Sequence, residues 1–199
     1  MGAYSPLPWL PKGFVEEVTE RVALPTVREL ARLGTEFVGL LYCGLIVTTR
    51  GIRVIEFNAR FGDPETQVVL RRLVTPLAGL LHKAATGHLS TAIEPEFSKA
   101  VAVTVVLASE GYPVTSAPDR AITSMDIETE HVEITHAATR LESDGSITAT
   151  GGRVLSVVAS AKDFSEARAL AYEAISKIQL EGSHYRKDIA LKVSEENNG

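Results

Sequence analysis

The chain has 199 residues, 45% of them hydrophobic and 23% charged, with a formal net charge of −5 at pH 7. That much apolar side chain supports a core in one large or two small domains, and the acidic balance excludes non-specific nucleic-acid binding. The five His have no metal-type spacing, and the single cysteine, Cys43, excludes an internal disulfide and fits a reducing compartment. Neither a signal peptide nor a run of about 18 apolar residues occurs, so no membrane association and a cytoplasmic location are expected.

In chain order, the opening through Pro11 holds three prolines and is expected to be irregular. From Lys12 the residues Val15, Val18, Val22, Val27, Leu30 and Leu33 follow a helical period that Pro25 splits and Gly34 ends. Phe37–Thr48 and Ile52–Asn58 read as strands joined by a tight turn at Arg50-Gly51, hence antiparallel, and their continuous apolar character predicts a sheet covered on both faces. Cys43, inside the apolar run, reads as a small buried residue rather than a nucleophile.

A helix is predicted from Thr66 to Ala85, with Leu70, Leu73, Leu77 and Leu81 on its apolar face, Gly87 as its stop, and His82 and His88 as structural residues near its end. Ser90–Lys99 is the boundary candidate, which divides the chain into domains at 1–97 and 98–199. Beyond it Val101–Leu107, Val132–Thr135 and Arg153–Ser160 read as strands. Asp163 and Glu166 stand at capping-box positions ahead of a helix that Gly182 closes, and the tail after Lys192 is expected to fray.

The chemistry concentrates between the second strand and the following helix, in Val54-Ile55-Glu56-Phe57-Asn58-Ala59-Arg60-Phe61-Gly62-Asp63-Pro64-Glu65. If this stretch is extended, Glu56, Asn58 and Arg60 share one face. A carboxylate beside an amide oxygen suits a hard cation such as Mg²⁺ that phosphates also hold, and Arg60 is a planar donor for phosphate or carboxylate. The competing reading is a solvated polar strand end, and by spacing alone the two stand level.

This stretch, preceded by Leu41-Tyr42-Cys43-Gly44-Leu45, resembles the C-terminal half of the phosphoribosylamine–glycine ligase (glycinamide ribonucleotide synthetase) family of ATP-grasp enzymes. The resemblance continues through Met1-Gly2-Ala3-Tyr4-Ser5-Pro6, Ala108-Ser109-Glu110-Gly111-Tyr112-Pro113, Gly151-Gly152-Arg153-Val154-Leu155 and Tyr185-Arg186-Lys187-Asp188-Ile189. It implies an α/β (α+β) fold: the C-terminal part of an ATP-grasp domain, then a small α+β domain. It further implies ATP as co-substrate, Mg²⁺ or Mn²⁺ on Glu56 and Asn58, Arg60 on the transferring or acyl phosphate, and Asp63 and Glu65 on the amines of glycine or 5-phosphoribosylamine. For Asp63 and Glu65 the competing reading is helix capping.

Within the same resemblance, Met1–Pro6 is either part of a loop whose N–H groups line a pocket or a disordered start. Arg186 and Lys187 either meet a ribose phosphate or are solvated. Two departures from the family pattern stand out: His136-Ala137-Ala138-Thr139 lacks a usual Gly, and Glu110 replaces another. Members are about twice this length, and no Gly-rich phosphate loop with an adjacent Lys occurs here, so the chain is expected to work with a separate N-terminal half and to make no product alone. A sheet lacking a neighbouring strand is expected to expose an edge and self-associate. The other readings are a non-catalytic remnant or another ATP-grasp carboxylate–amine ligase.

Overall fold

The computed structural model describes residues 1–89, 94–127 and 129–196. In chain order the elements are β1 (Gly2–Ser5), α1 (Phe14–Val18), a π-helical turn (Thr19–Ala23), α2 (Leu24–Arg32), β2 (Tyr42–Thr48), β3 (Gly51–Asn58), α3 (Glu65–Arg72) and α4 (Leu77–Ala85). There follow β4 (Val101–Ala108), β5 (Arg120–Ile122), β6 (Val132–His136), β7 (Thr139–Leu141), β8 (Ile147–Ala149), β9 (Arg153–Ala161), α5 (Phe164–Lys177) and α6 (Leu191–Glu196). Every strand pair is antiparallel, so the mixture of helix and strand is of the α+β kind. The chain divides into two compact units: residues 1–6, 63–72 and 97–199 form one, and residues 7–62 and 73–96 the other. This partition differs from a single cut at 97/98, because two earlier segments belong with the C-terminal part.

The first unit is built on a four-stranded sheet in the order β1-β4-β9-β6, with a three-stranded sheet β5-β8-β7 beside it in the chain. β4, Val-Ala-Val-Thr-Val-Val-Leu-Ala, is buried at every position, the signature of a strand covered on both faces. Val101, Val103, Val105 and Leu107 point to the side packed by α5, whose buried residues Phe164, Ala167, Ala171, Ala174 and Ile175 recur at helical spacing. α3, with Val68 fully buried, packs on β4, β1 and β9. The predicted N-cap is present: Asp163 Oδ1 accepts from the Glu166 N–H at 2.9 Å.

Several expectations are corrected here. Within the opening, Gly2–Ser5 is neither irregular nor a nest of free N–H groups, because it pairs with Ala102–Val105 of β4, whereas residues 6–11 are irregular as expected. Gly2 is required there: a Cβ would sit 2.4 Å from the Thr104 carbonyl oxygen. The single helix predicted over 66–85 is two, since Pro76 cannot continue a helix, and the Val74 and Thr75 N–H groups donate to the Glu96 carbonyl instead. α5 ends at Lys177 because Ile178 is extended, so Gly182 serves a later turn rather than the helix end. The tail forms α6 through Glu196, held by buried Val193 and Ser194. Part of the boundary candidate, residues 90–93, lies outside the described residues.

In the second unit, Pro25 falls in the first turn of α2, where its missing N–H is tolerated, and the π turn precedes it. β2 and β3 form the expected hairpin, but β2 begins only at Tyr42, and among the described residues the expected two-sided cover is absent. Ile46 stays 50% exposed and Ile55 66% exposed in a sheet that has two strands among the described residues. Cys43 is half-buried rather than buried, and desolvation raises its thiol pKa, which fits an inert thiol.

Arg72 ties three segments of the first unit together. Its guanidinium donates to the Ala100 carbonyl at 2.7 Å, the Ser98 carbonyl at 3.0 Å and Ser5 Oγ at 2.8 Å. Burial pushes its pKa down from the usual value, a desolvation cost that these acceptors offset. Arg72→Ala is expected to lower stability by about 3 kcal/mol, since hydrogen bonds to a charged donor are worth about 1.5–3 kcal/mol each and are not additive. Urea unfolding checks this, and Arg72→Met, which keeps the stem, should lose nearly as much.

Candidate functional site

β3 carries Glu56 and Asn58 at its C-terminal end, opposite Gly44 and Tyr42 of β2. The register slips between Gly44 and Leu45, which leaves Ile55 as an extra residue, a β-bulge of the kind that re-aims side chains next to sites. Beyond the bulge, Glu56 and Asn58 do share a face: Asn58 Nδ2 donates to Glu56 Oε1 at 2.9 Å. Gly44 makes this geometry possible, because a Cβ there would lie 2.9 Å from Glu56 Cγ and 3.3 Å from its carbonyl oxygen. The signal was available in the glycine interrupting an apolar strand, which marks close approach.

Arg60 lies beyond the ladder. The strand ends at Asn58, so alternation no longer applies, and Arg60 Nη1 donates to the Phe61 carbonyl at 2.9 Å. Glu56, Asn58 and Arg60 belong to one compact unit, Asp63 and Glu65 to the other.

Asp63 is held from two sides. Arg153 Nη1, at the start of β9, donates to the Asp63 carbonyl at 2.8 Å and lies 3.3 Å from Asp63 Oδ2. Gln67 Nε2 donates to Asp63 Oδ1 at 3.1 Å. Glu65 is the first residue of α3, where a carboxylate favours the helix dipole. Arg153 and Gln67 were not among the predicted site residues, although a lone cation after Gly151-Gly152 at a strand start was a visible signal. Arg153→Ala is expected to cost about 1 kcal/mol, a modest value because the side chains are a third exposed. Loss of protection at Asp63 and Gln67 in amide exchange would show which contact the energy came from.

The Gly-Gly pair before Arg153 has its own cause. A Cβ on Gly152 would lie 2.2 Å from the Tyr112 ring, and one on Gly151 would lie 2.9 Å from Ala138 Cβ. The departures at 110 and 138 are accommodated: Glu110 pairs with Arg120, and the Ala137 and Ala138 N–H groups reach the Val154 and Arg153 carbonyls at 3.0 Å. Arg186 closes on Asp188 with contacts of 2.9 and 2.6 Å, and that guanidinium holds the Asp188 carboxyl below the usual range. Of the two cations offered for a phosphate, Arg186 is thus already engaged.

Among the described residues no group of three or more His, Cys, Asp or Glu side chains is placed to hold a metal. The donor set at the hairpin end is instead one carboxylate and one amide, both hard, and the amide uses its N–H on the carboxylate, which leaves Asn58 Oδ1 and Glu56 Oε2 as oxygen donors. Two such oxygens fit a cation completed by phosphates and water, as is usual for Mg²⁺. No helix is long and apolar enough to cross a membrane, among the described residues.

Comparison with known proteins places this geometry in a class. The biotin carboxylase domain of a thermophilic 2-oxoglutarate carboxylase shares the fold, with a TM-score of 0.63 at 14% identity over 93% of this chain and 41% of that one. Residues 1–66 match the phosphoribosylglycinamide synthetase ATP-grasp (A) domain, so the Glu56–Asn58 hairpin is part of an ATP-grasp domain, and residues 102–192 match the phosphoribosylglycinamide synthetase C domain.

The relatives narrow this further. The phosphoribosylamine–glycine ligase of Leifsonia xyli subsp. xyli is 61% identical over 97% of this chain and 47% of its own length, and that of Streptomyces coelicolor is 54% identical over 98% and 47%. The crystal structure of the Thermotoga maritima enzyme of that name superposes with a TM-score of 0.81 at 31% identity, over 96% of this chain and 46% of that one. Along nearly its whole length the chain is thus similar to the phosphoribosylamine–glycine ligases, whose ATP-grasp (A) and C domain models it matches in order. It spans about half the length of the curated relatives it matches.

Proposed function

We propose that this chain supplies the C-terminal part of an ATP-dependent ligase that joins glycine to 5-phosphoribosylamine. In that reaction a glycine carboxylate oxygen takes the γ-phosphoryl group of ATP and releases ADP. The amine nitrogen of phosphoribosylamine then attacks the acyl carbon, inorganic phosphate leaves, and the nitrogen loses a proton. The observation that carries the reading is the Glu56–Asn58 pair at the bulged end of β3, in a chain whose relatives are named for this ligation.

Glu56 and Asn58 would hold Mg²⁺ or Mn²⁺ through their carboxylate and amide oxygens. When bound, the ion neutralises charge on the ATP phosphates during transfer. Arg60 supplies a planar cation for the phosphoryl group or the acyl phosphate. Asp63 is proposed to accept from the amine of glycine or phosphoribosylamine. Its partners Arg153 and Gln67 occupy part of a carboxylate that offers about four lone-pair positions. Glu65 adds a second acceptor at the start of α3.

The test is ADP and glycinamide ribonucleotide formation by the chain alone, and by the chain mixed with the N-terminal half of the Leifsonia xyli relative. The expected result is no synthesis from the chain alone and glycine-dependent synthesis in the mixture. Synthesis by the chain alone, or none in a mixture shown to associate, would overturn the reading.

A further inference from the structure

We propose that β3 is an interaction surface for a second copy of this chain, the two β3 strands pairing antiparallel along their full length. β3 has β2 on one side, and among the described residues no strand pairs with its other edge. Six of its eight positions are exposed, against three of seven in β2. The backbone N–H and C=O groups along such an open edge are a template for another strand.

The residue order along β3 selects the partner. Full overlap of two copies sets Gly51 opposite the partner's Asn58, Ile52 opposite the partner's Phe57, Arg53 opposite the partner's Glu56 and Val54 opposite the partner's Ile55. The two charges of the strand meet each other, twice by the two-fold symmetry, and each bulky apolar residue meets another. Pairs of opposite charge and apolar pairs directly across an antiparallel ladder stabilise it, whereas like charges there oppose it. A two-fold dimer uses the same patch on both copies, so one self-complementary strand is enough. Both charges are available for this. Among the described residues Arg53 has no carboxylate partner, its Nη1 donating to the Ile52 carbonyl at 2.8 Å, and Glu56 gives Oε1 to Asn58.

Opposite residues must also share a face, and here the bulge decides. In a regular strand, residues three apart point to opposite sides of the sheet, and Arg53 would face away from the partner's Glu56. In β3, however, Arg53 lies opposite Ile46 and Glu56 opposite Gly44, and these two are two apart on β2 and so on one face. The extra residue Ile55 therefore brings Arg53 and Glu56 to the same face. By the same register Ile52 and Phe57, opposite Val47 and Cys43, share the other face. The two bulges come opposite each other at the symmetry axis, so neither strand carries a residue in excess. Pairing engages the carboxylate that the ligase reading gives to the metal, so the two uses of Glu56 exclude each other. Association itself is measured on the chain alone and does not rest on that reading.

The experiment is sedimentation velocity of the 199-residue chain from micromolar to millimolar concentration. The expected result is a reversible dimer of weak affinity, as interfaces below about 1,200 Å² give. Arg53→Glu and Glu56→Arg each set like charges opposite at both pairs and should weaken the dimer about tenfold. The double variant Arg53→Glu/Glu56→Arg should restore it. Arg28→Glu, the same change of charge at an exposed position of α2, should leave it unchanged. In about 1 M sodium chloride, where charges act only within about 3 Å, the unaltered dimer should weaken about threefold. That arm needs no variant to fold. A chain that stays monomeric throughout, a dimer indifferent to both single reversals, a double variant no stronger than the single ones, or a dimer tightened by salt would each overturn the proposal.

Discussion

Glu56→Ala is expected to reduce synthesis by the reconstituted ligase on the order of 10³-fold, equivalent to about 4 kcal/mol of transition-state stabilisation. The side chain is one of only two oxygen donors at the end of β3, and its other carboxylate oxygen also orders Asn58 through the 2.9 Å contact. Removing it takes away one of the two proposed ligands and frees the other. Asn58→Ala should lose less, because the carboxylate and its charge remain. Neither change should unfold the chain, since Glu56 and Asn58 lie outside the buried core. Rates measured across Mn²⁺ concentration, with circular dichroism on each variant, separate the loss of a ligand from the loss of a fold. A Glu56→Ala enzyme with unaltered rate and unaltered metal dependence would remove the pair from the mechanism.

Phe164→Ala is expected to destabilise the first unit by about 3–5 kcal/mol, the range for truncating a buried aromatic. Phe164 is 2% exposed at the first position of α5, and its ring meets Tyr4 edge to face with centroids 5.4 Å apart. The cavity left behind would lie between α5 and the sheet, and it would also release β1 at the sheet edge. Phe57→Ala, on the exposed hairpin, should cost less than about 1 kcal/mol by comparison. Urea unfolding of the two variants side by side tests the claim that the core lies in the first unit and not beneath the hairpin.

The parts of the fold that sequence made legible are those fixed by local chemistry. The Asp163 cap, the tight turn just before Gly51, the largely apolar β4 and the stop at Gly34 each follow from a few neighbouring residues. What was missed depended on distant partners. β1 reads as a proline-rich irregular start until the edge of β4, a hundred residues later, offers it a ladder. The helix over 66–85 kept its apolar period across Pro76, and the periodicity concealed a break that the Glu96 carbonyl stabilises.

The same division holds at the site. The neighbourhood of Glu56 and Asn58 was legible from their spacing, although the bulge at Ile55 was not. For Arg60 the shared face depends on an extended backbone, and β3 ends two residues before it, at Asn58. Arg153, which grips Asp63, lies 90 residues away in sequence, and no local pattern could pair them. The hairpin's apolar run predicts a covered sheet. Its composition does suit burial on both faces, but within this chain its sheet has two strands and its Ile55 remains exposed.

The central claim, that Glu56 and Asn58 hold the nucleotide-associated metal, is tested most directly by the side-chain amide signal of Asn58. Mn²⁺ added with ADP to the mixture of both halves is predicted to broaden the Asn58 Nδ2 resonance beyond detection, and Glu56→Ala should restore it at the same Mn²⁺ concentration. An Asn58 signal that stays sharp while Mn²⁺ and ADP are bound would contradict the account.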